Sequence, residues 1–148
     1  MSTPPTDLLA HLRRARDLID RGYAEDLDLD TLAAAAGLSR YHFLRSFRGA
    51  YGCTPGQHLT RRRIERAQDL LRATNLTVTE VCHLVGYASL GSFSSRFSRL
   101  VGTSPSAYQA RWAGGAPRVP GCFVLMHGLQ DVRPGSAIEE KRPRPPGS

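Results

Sequence analysis

The chain has 148 residues, of which 41% are hydrophobic, and its formal net charge is +7. This length and composition allow one compact domain, or two small ones, with a buried core. No apolar run approaches the length that crosses a bilayer, and the three scattered cysteines form no CxxC pair. We therefore expect a cytoplasmic protein without a membrane span, a disulfide framework or a zinc site.

Apolar residues recur at helical spacing along the chain, and no strand pattern appears before residue 117. The predicted helices cover residues 7–23, 28–38, 40–51, 55–73, 77–86, 90–101 and 105–113. A residue able to cap a helix precedes each of them: Thr6, Asp28 or Asp30, Ser39, Thr54, Thr77 or Thr79, Ser89, and Ser104. The pattern predicts an all-α fold in which the helix over 55–73 is the longest.

The second half of this helical region repeats the first with an offset of fifty residues. Ser39, Phe43, Phe47, Gly52 and Pro55 match Ser89, Phe93, Phe97, Gly102 and Pro105. Each copy consists of a short helix, a tight turn with glycine and a second helix, which is the helix-turn-helix arrangement. The sequence thus predicts two helix-turn-helix subdomains joined by a long linker helix.

The second helix of each copy is expected to have one buried face and one free face. At 100° per residue, Phe43 and Phe47 share the inner face of the first copy, as do Phe93, Phe97 and Leu100 in the second. The outer face of the first copy has Tyr41, Arg45 and Arg48, flanked by Leu44; that of the second has Gly91, Ser95 and Ser98, flanked by Ser94 and Arg99. Two copies with one frame and different outer faces are expected of two units that bind different base sequences.

The outer residues suit DNA contacts of two kinds. Arg45 can donate two hydrogen bonds to guanine O6 and N7, and Leu44 and Tyr41 can pack on thymine methyl groups. Phosphate contacts are predicted for Arg40, Arg48, Arg99, the helix N-termini at Ser39 and Ser89, and Arg96 at the side of its helix. The alternative for each arginine is a solvated helix face or a salt bridge to the acidic N-terminal segment.

The charge distribution agrees with a polyanionic partner. Residues 1–37 have four arginines and seven acidic residues, whereas residues 38–112 have eleven arginines and three acidic residues. The basic charge therefore lies in the part of the chain with the repeat, and nucleic acid is the chief candidate partner.

Two stretches, LAAAAGLSRYHFLRSFRGAYGCTPGQHLTRRRIERAQDLL and VCHLVGYASLGSFSSRFSRLVGTSPSAYQARW, resemble the DNA-binding domain of the AraC/XylS family of transcriptional regulators. The resemblance implies seven helices, with both recognition helices in successive major grooves of bacterial nucleoid DNA. It places the base-contacting positions at Tyr41, Leu44, Arg45, Gly91, Ser94 and Ser95. Many family members have arginine where Ser95 stands, so the second unit is expected to select bases less strongly. The chain is expected to be like the small members without a sensor domain, and activation is the family's usual mode.

We predict one DNA-binding domain over residues 7–112, composed of a subdomain at 7–54, a linker helix at 55–73 and a subdomain at 74–112. Residues 113–148 form an irregular tail that contains the apolar run CFVLM at 122–126. No enzyme motif, metal-ligand spacing or phosphate loop is present, so no enzyme activity or cofactor is expected.

The predicted function is sequence-specific binding of double-stranded DNA, as a monomer, to regulate transcription. Two alternatives stay open. One is an architectural DNA-binding protein with little sequence preference. The other is a protein-interaction module that acts through the CFVLM run, with RNA polymerase as a candidate partner.

Overall fold

The computed structural model describes residues 6–113, and the regular elements within this range are seven α-helices. They are α1 (Thr6–Gly22), α2 (Leu29–Ala35), α3 (Arg40–Tyr51), α4 (Pro55–Ala73), α5 (Val78–Leu84), α6 (Leu90–Val101) and α7 (Pro105–Trp112). The predicted all-α fold is confirmed. The predicted irregular tail and its CFVLM run lie outside the described residues, apart from Ala113.

Side-chain caps start six of the seven helices at the predicted places, whereas Thr6, predicted to cap the first, is the first residue of α1. The capping oxygens belong to Asp28, Ser39, Thr54, Thr77, Ser89 and Ser104, each of which accepts a hydrogen bond from the backbone N–H three residues further on. The two open choices are thereby decided, because Asp28 rather than Asp30 caps α2 and Thr77 rather than Thr79 caps α5. The backbone N–H of Thr31, 2.7 Å from the Asp28 carboxylate, lowers the pKa of Asp28.

The short helices α2 and α5 end just before Gly37 and Gly86, the glycines of the two predicted turns. Gly37 and Gly86 have φ angles of 66° and 101°, which no helical residue adopts, so each glycine turns the chain away from its helix. The N–H of Leu38 then donates to the carbonyl of Ala33, at 3.0 Å, and this bond closes the first turn. These turns set the direction of α3 and α6, which are the second helices of the two copies.

The described chain divides into two compact units, and the boundary lies between Arg63 and Ile64 inside α4. We call residues 6–63 unit 1 and residues 64–113 unit 2. In unit 1, α1, α2 and α3 pack against one another. The core of this unit consists of Leu12, Ala15, Ile19, Leu32, Ala33, Ala36, Phe43, Phe47 and Cys53. Burial of a phenylalanine side chain contributes about 1.5–3 kcal/mol, so Phe43 and Phe47 fix the orientation of α3.

The first part of α4 is held to the end of α1 by polar contacts. Nε2 of His58 lies 3.0 Å from Oδ1 of Asp20, and Nε of Arg63 donates to the carbonyl of Tyr23 at 2.6 Å. A second nitrogen of Arg63 donates to the carbonyl of Glu25. The two bonds from Arg63 satisfy carbonyl groups that follow the last turn of α1.

In unit 2, α5, α6 and α7 pack against one another. An aromatic series lies along this packing, with Phe93 and Phe97 5.7 Å apart between ring centroids and Tyr108 5.5 Å from Phe97. Phe93 and Phe97 are fully buried, as predicted. Leu100 was predicted to share this inner face, but the prediction is wrong, because its side chain is 52% exposed. Helical angle gives the direction of a side chain, whereas burial also requires a neighbour, and within residues 6–113 none covers Leu100 in the last turn of α6.

Cys53 and Cys82 are buried and unpaired among the described residues. Burial raises the pKa of the Cys82 thiol, so this thiol is poorly reactive.

Candidate nucleic-acid interface

The outer face of α3 is formed by residues that point away from Phe43 and Phe47. Tyr41, Arg45 and Arg48 are all exposed, and Leu44 is half-buried beside them. Tyr41 is exposed over 69% of its surface, which is high for a large aromatic side chain. A helix that is anchored on one side and displays arginine and tyrosine on the other can enter a DNA major groove and contact base edges.

Arg45 and Tyr41 are in contact on this face. Cζ of Arg45 lies 5.5 Å from the centroid of the Tyr41 ring, over the ring. The distance is within the range of a cation–π contact. The guanidinium group therefore lies beside an aromatic surface, and its charge stays exposed at the outer side of α3.

Arg40, in the first turn of α3, pairs with an acidic residue of α2. Nε and Nη2 of Arg40 donate to the two carboxylate oxygens of Asp30, at 3.0 and 3.2 Å. Both side chains are mostly exposed, at 62% for Arg40 and 71% for Asp30. The sequence offered a salt bridge to the acidic N-terminal segment as one alternative for the arginines, and the structure has it for Arg40.

The outer face of α6 carries small residues. Gly91 and Ser95 are exposed, while Ser94 and Ser98 are half-buried. A Cβ atom at Gly91 would lie 3.7 Å from Oγ of Ser89, an ordinary contact distance, so the fold of unit 2 does not require glycine there. This face can follow the surface of a duplex closely but offers few groups for base selection.

Arg96 of α6 lies over a ring that sequence reasoning did not associate with it. Its Cζ is 5.7 Å from the centroid of Tyr87, whose side chain is only 5% exposed. Tyr87 lies in the turn before α6 and also packs on Phe93. Helical spacing did not indicate this pair because the two residues belong to different segments, although an aromatic residue directly after Gly86 was visible in the sequence.

Every residue predicted to contact DNA lies at the surface of its unit. Ten are exposed: Ser39, Arg40, Tyr41, Arg45, Arg48, Ser89, Gly91, Ser95, Arg96 and Arg99. The other two, Leu44 and Ser94, are half-buried. Unit 1 brings together the first-copy residues on α3, and unit 2 brings together the second-copy residues on α6.

The three consecutive arginines of α4 have different surroundings. Arg61 is exposed, whereas Arg63 donates to backbone carbonyls of unit 1. Arg62 lies 4.0 Å from the Asp20 carboxylate and over the ring of Tyr23. Of the three, only Arg61 is directed wholly to solvent.

Between residues 6 and 113 no group of three histidine, cysteine or acidic residues is arranged to hold a metal ion. Over the same part of the chain, no helix combines the length and the apolar character that membrane crossing requires.

Two helix-turn-helix units with exposed arginine-bearing second helices define a helix-turn-helix protein of the DNA-binding class. The sequence model of the family described as "Helix-turn-helix domain" matches residues 32–111. Together with the relatives and structures below, this match shows that the chain belongs to the AraC family of DNA-binding transcriptional regulators. The family consists of regulators rather than enzymes.

Among curated proteins, the chain is 41% identical over 85 residues to the MmsAB operon regulatory protein of Pseudomonas aeruginosa, a match that covers 57% of this chain but 28% of the relative. It is 35% identical over 91 residues to the HTH-type transcriptional activator AarP of Providencia stuartii, covering 62% of this chain and 67% of AarP. The chain thus matches only a minor part of the first of these relatives.

Among solved structures, the DNA-binding domain of AdpA, crystallised with a target DNA, is similar with a TM-score of 0.66 and 35% identity. This similarity covers 70% of the present chain and 97% of the AdpA domain. The C-terminal domain of AraT, a response regulator from Geobacillus stearothermophilus, gives the same TM-score at 31% identity and covers 68% of this chain and 84% of that domain.

Proposed function

We propose that the protein activates transcription by binding a specific DNA site, with α3 and α6 in successive major grooves. The observation that carries the proposal is the outer face of α3, where Tyr41 and Arg45 are exposed on a helix anchored by Phe43 and Phe47. Tyr41, Leu44 and Arg45 contact bases, and Arg48 and Ser39 contact the phosphate backbone beside them. The proposed place of action is the bacterial nucleoid.

We assign the second unit a smaller share of base selection. Gly91, Ser94 and Ser95 offer only a backbone edge and two hydroxyl groups, whereas Arg96, Arg99 and the N-terminus of α6 at Ser89 are suited to phosphates. Phosphate contacts hold the register of a protein on DNA but do not distinguish sequences. Unit 2 therefore adds affinity more than base selection.

The domain division follows from the same proposal. Residues 7–54 and 74–112 are the two DNA-binding subdomains, and the helix over 55–73 links them. Its 19 residues span roughly 28 Å at 1.5 Å per residue, while adjacent major grooves on one face of B-DNA are about 34 Å apart. A link of this length favours a bent duplex, at a cost of a few kcal/mol. One chain carries both groove-binding helices, so we propose a monomer on each site.

The name of the relative AarP includes "transcriptional activator", and this supports activation rather than repression. An activator needs a further partner, and we propose that the segment 113–148 contacts RNA polymerase. Deletion of residues 117–148 tests this part, because DNA affinity should be unchanged while transcription from the target promoter falls. Equal activation by the shortened chain would exclude the tail as the contact.

Selection of bound sites from random DNA tests the proposed function as a whole. A regulator should prefer the selected site over random DNA by about 4–10 kcal/mol at fixed salt. An architectural protein would bind both within a small factor, and that result would overturn the proposal.

Two arginine variants then separate base contacts from phosphate contacts. Arg45→Ala should reduce discrimination at one base pair of the selected site by about 1–3 kcal/mol. Arg99→Ala should weaken binding to all DNA sequences alike and lower the slope of log Kd against log salt concentration by about one. Arg13→Ala, which removes an exposed charge from α1, is the control for net charge. A uniform loss from Arg45→Ala would contradict base contact by Arg45.

A further inference from the structure

The contact between Tyr41 and Arg45 points to a role for Tyr41 beyond its own contact with DNA. Cζ of Arg45 lies 5.5 Å from the ring centroid of Tyr41. The two residues are four apart in α3, so their side chains are neighbours on the helix surface. We propose that Tyr41 is a positioning residue, whose ring holds the Arg45 guanidinium in the orientation that contacts guanine. This inference rests on the proposed function.

The folded unit itself gives no reason for a tyrosine at position 41. The side chain is 69% exposed and takes no part in the core of unit 1, whose aromatic residues in α3 are Phe43 and Phe47. Among the described residues its ring contacts the Arg45 guanidinium. A large aromatic side chain at such a position contributes through what it does at the surface.

Among the described residues, no carboxylate pairs with Arg45 to orient it. Within residues 6–113 the ion pairs of unit 1 include Arg40 with Asp30, and His58 and Arg62 with Asp20, whereas Arg45 takes part in none. A carboxylate partner would neutralise the guanidinium and would have to be displaced by DNA. An aromatic ring instead restricts the rotamers of arginine while all five N–H donors at the edge of the guanidinium plane stay available.

Preorganisation of this kind affects selectivity. Arginine has high rotamer entropy, and a bidentate pair with guanine requires the planar group to be held in one orientation. If the ring already limits that freedom, less entropy is lost when the correct base is bound. The gain applies only where both hydrogen bonds form, so it appears as preference for guanine rather than as general affinity.

The second unit lacks this pair. The positions fifty residues after Tyr41 and Arg45 are Gly91 and Ser95. The arginine of α6 that lies on a ring is Arg96, and its ring belongs to Tyr87, which is buried in the core and outside α6. The arrangement of an exposed ring and an exposed arginine on one recognition helix is therefore a property of unit 1 alone.

A double-mutant cycle tests the proposal. Arg45→Ala first identifies the base pair whose discrimination depends on Arg45, by fluorescence anisotropy on the selected site and on its single-base-pair variants. The same binding measurement is then made on the original DNA and on DNA changed at that base pair. The variants compared are Tyr41→Ala, Tyr41→Phe and the double variant Tyr41→Ala with Arg45→Ala. Because Tyr41 is exposed, these variants should keep the Tm of the parent protein, which is checked by thermal unfolding.

Positioning predicts that Tyr41→Ala lowers discrimination at the Arg45 base pair by about two- to fivefold, the factor of an exposed cation–π contact. In the Arg45→Ala background, Tyr41→Ala should not change the discrimination at that base pair further. Tyr41→Phe should discriminate as well as the parent protein, since it keeps the ring. Equal discrimination at that base pair in Tyr41→Ala and the parent would overturn the positioning role, even if Arg45 contacts guanine. If Arg45→Ala itself reveals no such base pair, the base-contact part of the proposed function fails as well.

Discussion

At the scale of single residues, Asp30 and DNA phosphates have the same chemistry toward Arg40. The carboxylate accepts two hydrogen bonds from the guanidinium at 3.0 and 3.2 Å, the geometry with which arginine also binds a phosphate. Both groups are largely exposed, so the ion pair contributes little to stability. Its effect should instead appear when DNA competes with Asp30 for the arginine.

We therefore expect Asp30→Asn to tighten binding to every DNA sequence by about two- to fivefold. DNA then no longer has to break an exposed ion pair worth up to about 1 kcal/mol, and a negative charge that repels DNA is removed. Anisotropy titrations on specific and random DNA measure the change. The control is Asp30→Asn in an Arg40→Ala background, where the gain should shrink to the effect of charge alone. A full gain without Arg40 would show that the pair is irrelevant to binding.

At the scale of the helices, glycine has two opposite roles in the first copy of the repeat. Gly52 caps α3 with a φ angle of 73°, in the left-handed region, and its N–H donates to the carbonyl of Arg48. Gly49 lies within the same helix, and a Cβ atom there would meet no atom within 4 Å. Glycine is thus needed at position 52, whereas at position 49 it lowers the stability of the helix.

Gly49→Ala should raise the free energy of unfolding by about 0.5–1 kcal/mol, since alanine has the higher helix propensity. Gly52→Ala should lower it by about 1 kcal/mol, because a Cβ atom is strained in the left-handed region. Chemical denaturation of the two variants under one set of conditions measures both changes. Destabilisation by Gly49→Ala would indicate that position 49 has a packing role that the structure does not show.

At the scale of the whole molecule, α4 contributes to both units because the boundary between them lies inside it. Its N-terminal part is bonded to the end of α1, and in its C-terminal part Arg72 lies over Trp112 of α7. In the proposed function, each unit contacts one of two half-sites of the same DNA site. The proposed binding mode therefore has a geometric test on DNA.

Insertion of five base pairs between the selected half-sites should reduce affinity nearly to that of a single unit, because it turns one half-site to the opposite face of the duplex. The control is DNA in which five base pairs are changed outside the site, and its affinity should equal that of the parent site. Analytical ultracentrifugation should give one chain per parent site. Unchanged affinity after the insertion would contradict simultaneous binding by both units.

The amino-acid sequence determined the helices, most of their caps and the repeat, because these depend on residues that are three, four or fifty positions apart and can be compared directly. It also determined which residues face outward on α3, since two phenylalanines define the inner side. It did not determine the exposure of Leu100. Helical angle gives a direction, whereas burial depends on whether another element covers that place.

Only the tertiary structure decided which groups surround the predicted DNA-contacting arginines. Arg40 was assigned to phosphate, but its partner Asp30 comes from a different helix, and the ring beneath Arg96 belongs to a turn. Such pairs arise when α2 folds against α3 and when the turn after Gly86 folds against α6. Because several acidic and aromatic residues were equally available along the chain, side-chain proximity in three dimensions was needed to select among them.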